Sequence, residues 1–158
     1  AGQSIALVCA KKGVSGMALA SRSDASVESL CEKIVASGFC GEIQKLPADT
    51  NSSLEFRSVQ WRRACRECDL IVNASPVGLN ADDTSILSRD CFSGKHVFLD
   101  IIPVRRRTPS VDCALSAGAV TIDGLEFLVA QGAKSFEIWT GLEADRKAML
   151  KAVGKGNS

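Results

Sequence analysis

The sequence predicts an α/β fold, a Rossmann-like three-layer domain with a mainly parallel sheet, and three observations predict it. Short apolar runs bounded by turn residues alternate with segments of helical period, as in a parallel sheet covered by helices. The runs at 69–73 and 96–102 hold the unbroken apolar stretches Leu70 to Val72 and Val97 to Leu99, as strands buried on both faces do. The helical segments carry start and stop residues at the expected offsets.

Taken in order, Met17 to Ala20 is the first strand candidate, following the turn at Val14 to Gly16. Val27, Leu30, Cys31, Ile34 and Val35 then form one helical stripe, with Asp24 as the expected cap and Gly38 as the stop. The pattern is weak from Glu42 to Val59, where a polar turn is expected at Asp49-Thr50-Asn51-Ser52, and residues 59–68 read as a short basic helix. Asp69 to Asn73 and His96 to Ile102 are the clearest strands. Thr108 is placed to cap a helix whose first residue is Pro109, and Gly118 to stop it before a last strand at Ala119 to Ile122. Asp123 and Glu126 have capping-box spacing at the head of a long helix, 124–140, ended by Gly141; a further helix is expected within 143–153, before a frayed tail. With no internal repeat and no linker, residues 1–158 read as one domain.

Composition narrows the function. The chain has 158 residues and is 46% hydrophobic, enough for one independent core. Nineteen Lys and Arg balance 18 Asp and Glu without long blocks of one sign, so neither nucleic acid nor a membrane surface is an expected partner, and a small ligand fits better. No apolar run approaches bilayer length and no signal-peptide pattern opens the sequence, so the expected location is cytoplasmic. Seven cysteines are an odd number in scattered apolar contexts, which suggests reduced core thiols. Cys65 and Cys68 form a CxxC, but with His96 the only histidine and no second CxxC, no metal is expected.

In an open parallel sheet, ligands bind beyond the carboxyl ends of the strands. Two loops there stand out. Ser21-Arg22-Ser23 sets a guanidinium between two hydroxyls, suited to a phosphate, although a solvated surface arginine is the plainer reading. Asn73-Ala74-Ser75-Pro76-Val77-Gly78 is built of small residues that let a flat ligand approach the backbone, or is an ordinary strand-to-loop turn. Arg105-Arg106-Arg107 could touch an anion, but three consecutive arginines read first as solvated surface.

The segment Asp69 to Leu79, DLIVNASPVGL, resembles the D-L-[IV]-[IV]-N-A-[ST]-P-x-G-[LM] motif of shikimate dehydrogenases, and Asp123 to Ala133 resembles their D-G-x-x-M-L-[VI]-x-Q-[GA]-A helix. Phe136 to Gly141 is similar to the F-x-x-W-[TH]-G that closes that helix, and Thr108-Pro109 falls at the family's T-P. The resemblance implies the C-terminal, NADP-binding domain of an enzyme that interconverts 3-dehydroshikimate and shikimate. It implies that Arg22 contacts the 2′-phosphate, with Ser21 and Ser23 beside it. Asn73, Ala74 and Ser75 would lie along the cofactor, the backbone of Ile101 and Gly124 near its nicotinamide, and Gln131 against substrate hydroxyls. These positions are expected to converge on one crevice.

Departures from the family pattern also carry expectations. Alignment back from Ser21 puts Ala1 to Ser4 just after the family's G-x-G-G loop, so the first strand and the phosphate-cradling glycines are expected to be lacking. Pro103 stands where the family has a substrate-contacting tyrosine, Arg105 where it has a proline, and Ser26 where a second basic residue is common. The acid/base lysine and aspartate belong to the family's substrate domain, so no catalytic residue is assigned to this chain; the missing domain is the expected partner, in cis or trans. Two alternatives stay open: a non-catalytic dinucleotide-binding or regulatory module, and a quinate or shikimate dehydrogenase that uses NAD.

Overall fold

The computed structural model of the chain describes residues 1–46 and 59–154; the turn expected at Asp49 to Ser52 and the tail from residue 155 lie outside them. The chain divides into two compact units, Ala1–Cys68 and Asp69–Ser158, each described by itself.

The first unit opens on a helix, α1 (Gly2–Lys11), followed by β1 (Gly16–Leu19), α2 (Asp24–Ala36), β2 (Glu42–Lys45) and α3 (Val59–Glu67). β1 and β2 pair in parallel, with Gly16 opposite Glu42 and Leu19 opposite Lys45. β2 falls in the stretch where the sequence pattern is weak, because its residues Glu-Ile-Gln-Lys include a single apolar side chain. Of the predicted α2 stripe, Val27, Cys31 and Ile34 are buried, whereas Val35 is 61% exposed, so the stripe is narrower than its spacing suggests. The cap of α2 is Ser23, not Asp24. Ser23 has the extended backbone that a cap requires, and its hydroxyl accepts from the Ser26 N–H at 3.4 Å. Asp24 is instead the first helical residue, where its charge favours the positive end of the helix dipole.

The second unit runs β3 (Leu70–Asn73), a 3-10 turn at Arg89–Cys91, β4 (Val97–Asp100), α4 (Pro109–Ser116), β5 (Val120–Ile122), α5 (Gly124–Thr140) and α6 (Arg146–Ala152). Its strands lie in the order β3-β4-β5, all parallel. Phe98 is fully buried at the centre of β4 and meets Phe92 edge to face at 5.1 Å between ring centroids. Val111, Ala114, Leu125, Val129 and Ala133 bury the inner faces of α4 and α5. The helix ends follow the sequence. The Thr108 hydroxyl accepts from the Val111 N–H with Pro109 in the first turn, and Asp123 and Glu126 close a reciprocal capping box. Gly141 ends α5 at φ 71°.

The fold is therefore α/β and Rossmann-like, with every strand pairing parallel among the described residues. Cys9, Cys31, Cys40 and Cys113 are free thiols. No helix among the described residues is long and apolar enough to cross a membrane.

Candidate functional site

The β3–β4 register sets Asn73 opposite Asp100 at the carboxyl ends of their strands. Both side chains are buried. Asn73 spends its polar atoms on the loop it begins: its Nδ2 donates to the Val77 carbonyl and to Asp100 Oδ1, each at 3.1 Å, and its Oδ1 accepts from the Ser75 N–H and Ser75 Oγ. Ser75 Oγ in turn accepts from the Val77 N–H at 3.2 Å. The loop is thus a small hydrogen-bonded frame with Ala74 exposed on it and Ser75 half-buried.

Asp100 is the only fully buried carboxylate among the described residues. It accepts from Asn73, from the Ile102 N–H at 3.3 Å and from the Thr108 hydroxyl. Burial pushes its carboxyl above the ordinary aspartate value; the donors Thr108, Ile102 and Asn73 oppose that shift, and the charge of Asp123 adds to it. Ile101 joins the β3 loop as well, its N–H donating to the Asn73 carbonyl at 3.2 Å.

Arg105, Arg106 and Arg107 are all exposed, in keeping with the solvated-surface reading, yet Arg106 also has a structural contact that the reading did not include. Its Nη2 reaches back to the β3 loop and donates to the carbonyls of Gly78, Leu79 and Asn80, acceptors that sequence distance conceals. Asp83 holds the same loop from the other side by accepting from the N–H groups of Gly78 at 2.8 Å and Asn80 at 3.0 Å. Those backbone donors, first Gly78 and then Asn80, hold its carboxyl below the ordinary value, with Arg106 helping. Gly78 is required here, since its φ is 109° and a Cβ would stand 3.1 Å from Thr108 Cγ2. Pro103 is exposed, in a tight turn closed by the Val104 N–H on the Ile102 carbonyl.

Gly124 is buried at the start of α5, where a Cβ would stand 2.0 Å from the Ile102 carbonyl oxygen. The absence of a side chain lets the β4 loop and the α5 N-terminus touch backbone to backbone. The second unit therefore brings Asn73, Ile101 and Gly124 together at one sheet end. Gln131 is exposed, two helical turns or about 10 Å further along the same face of α5.

Ser21, Arg22 and Ser23 lie in the first unit, between β1 and α2. Ser21 Oγ accepts from the Ser23 N–H at 3.4 Å. Arg22 is exposed and takes part in no hydrogen bond or ion pair among the described residues. The sequence signalled these residues, Asn73 and Gly124, but Asp100 was missed; a polar residue at the end of an apolar strand was the available sign.

Residues 124–153, covering α5 and α6, match the family described as Shikimate 5'-dehydrogenase C-terminal domain. Over part of its length the chain is similar to shikimate dehydrogenases. Shikimate dehydrogenase (NADP(+)) of Methanocella arvoryzae is 40% identical over 88 residues, which are 56% of this chain and 33% of that protein. Among solved structures, shikimate 5-dehydrogenase from Listeria monocytogenes in complex with shikimate and NAD superposes with a TM-score of 0.77 at 25% identity, over 94% of this chain and 50% of that one. The shikimate dehydrogenase of Thermus thermophilus in complex with NADP(H) and shikimate gives a TM-score of 0.67 at 25% identity, over 93% and 48%. The chain thus spans a third to a half of the length of these shikimate dehydrogenase relatives.

Proposed function

We propose that the chain is the cofactor-binding part of an NADP-dependent shikimate dehydrogenase, one dinucleotide-binding domain over residues 1–158. Joined to a substrate domain, in cis or trans, it interconverts 3-dehydroshikimate and shikimate in the cytoplasm. The observation that carries this reading is the backbone frame at the ends of β3 and β4: a small-residue loop with Ala74 exposed and Ser75 half-buried, tied to Ile101 at Asn73, and a glycine helix start at Gly124 against the β4 loop. It coincides with the motifs through which the sequence resembles relatives named for NADP(+).

These residues suit a dinucleotide. Ala74 and Ser75 present little bulk to a flat ring system, and the exposed guanidinium of Arg22, flanked by Ser21 and Ser23, suits the 2′-phosphate that distinguishes NADP from NAD. The bound cofactor would supply a hydride. Near its nicotinamide, the backbone of Ile101 and Gly124 would fix the ring's position, and Gln131 would hold a substrate hydroxyl as donor or acceptor. Delivery of the proton to the developing alkoxide falls to the substrate domain, since no side chain of this chain is assigned to it.

A second reading, use of NAD, is favoured by Ser26 standing where a second cation would strengthen phosphate binding, and by the NAD complex of the Listeria relative. Titrating the chain with NADPH and NADH, wild type and Arg22→Ala, decides between them. NADPH preference that falls about tenfold in Arg22→Ala supports the phosphate role. An unchanged ratio discards it, and no binding of either nucleotide at millimolar concentration discards the cofactor role of this chain.

A further inference from the structure

The carboxylate of Asp100 touches the β3 loop and the β4 loop, which bear proposed cofactor contacts in the second unit, and the cap of α4. Asn73, at the root of the Ala74–Ser75 loop, donates to its Oδ1; so does the Ile102 N–H, one residue beyond Ile101. Thr108, the cap of α4, donates to its Oδ2. The Ile102 carbonyl then presses on Gly124, which carries the same constraint into α5. We infer that Asp100 is a positioning residue for the cofactor, setting the β3 loop, the β4 loop and the α5 N-terminus in mutual register; the inference rests on the dinucleotide-binding function proposed above.

The chemistry of the donors makes an acid the fitting residue. Thr108 Oγ1 already accepts from the Val111 N–H, so its single hydroxyl proton is free to point at Asp100. An ionised carboxylate receives all three donors and needs no proton of its own. An asparagine in its place keeps one acceptor for Asn73 and Ile102, but turns a second donor toward Thr108, leaving the threonine proton without an acceptor. A valine at 108 removes the donor and leaves Asp100 Oδ2 buried and unpaired. Both changes loosen the register of the loops while leaving apolar packing around Phe98 intact.

The test uses the whole chain with Asp100→Asn, Thr108→Val and Thr108→Ser, each read by amide hydrogen exchange and by NADPH titration followed through amide chemical shifts. In Asp100→Asn and Thr108→Val, exchange at Ser75, Val77, Gly78 and Ile102 should rise about tenfold, the equivalent of one lost hydrogen bond, with Phe98 and Val129 unchanged. NADPH affinity should fall by a similar factor, and Thr108→Ser should restore both. A uniform rise in exchange across the unit marks a merely structural role and overturns the inference, as does an unchanged NADPH affinity alongside loosened loops. Failure of the wild-type chain to bind NADPH is a different result: it overturns the dinucleotide-binding function itself, and with it the role assigned to Asp100.

Discussion

Gly124, Asp100 and Asp83 show how single positions here are constrained by the backbone groups they meet. A methyl group at 124 would lie inside the van der Waals surface of the Ile102 carbonyl, and that carbonyl is backbone, tied by the Val104 N–H. Gly124→Ala should therefore destabilise the second unit by about 1–3 kcal/mol, measured by urea unfolding; a neutral result would show that the β4 loop yields. Asp100 and Asp83 should titrate on opposite sides of the ordinary aspartate value. Asp83 is held down, so its contribution is present above the ordinary value and is lost as pH falls through the folded one. Asp100 is raised, so its contribution is present below the ordinary value and is lost as pH rises through the folded one. The Gly78 amide shift should accordingly move with a low midpoint and the Ile102 amide shift with a high one; midpoints in the reverse order would contradict both assignments.

The elements that could be read from the sequence are those whose boundaries rest on local chemistry. Helix α5 begins and ends where Asp123, Glu126 and Gly141 say it should, because a capping box and a left-handed glycine act within four residues. Replacing Asp123 by Ala removes acceptors for the Leu125 and Glu126 N–H groups, and should cost about 1 kcal/mol in thermal or chemical unfolding. No loss would mean that water replaces the cap fully. Strand β2 was not legible, since a four-residue edge with one apolar side chain has no period to detect. The carboxylate at 100 was hidden for a different reason: its partners Asn73 and Thr108 stand 27 and eight positions away, and only the strand register brings them together. The carbonyl acceptors of Arg106 at 78–80 were hidden on the same ground, although its exposure was legible in the charge run. The candidate loops were visible because strand ends announce themselves; what holds them was not.

For the chain as a whole, the sheets predict where native structure is most persistent. β4 is hydrogen-bonded to a neighbour on each side, whereas β1 and β2 have one described neighbour each, as do β3 and β5. A two-stranded sheet buries too little to be stable by itself, and in the first unit Met17, Ala18 and Ile43 are only partly covered. Opening that sheet exposes little additional apolar surface, while opening β4 exposes Phe98 and breaks two ladders. Native-state hydrogen exchange should therefore find the slowest amides at Phe98 and Leu99, with those of Ala18 and Ile43 faster by at least about tenfold. The Listeria and Thermus structures have at least as much sequence again outside the matched region. If Ala18 proves as protected as Phe98 in this chain alone, the first sheet must draw stability from something other than its single parallel ladder. If protection at Ala18 rises only when additional sequence is joined to the chain, that sequence stabilises the first sheet.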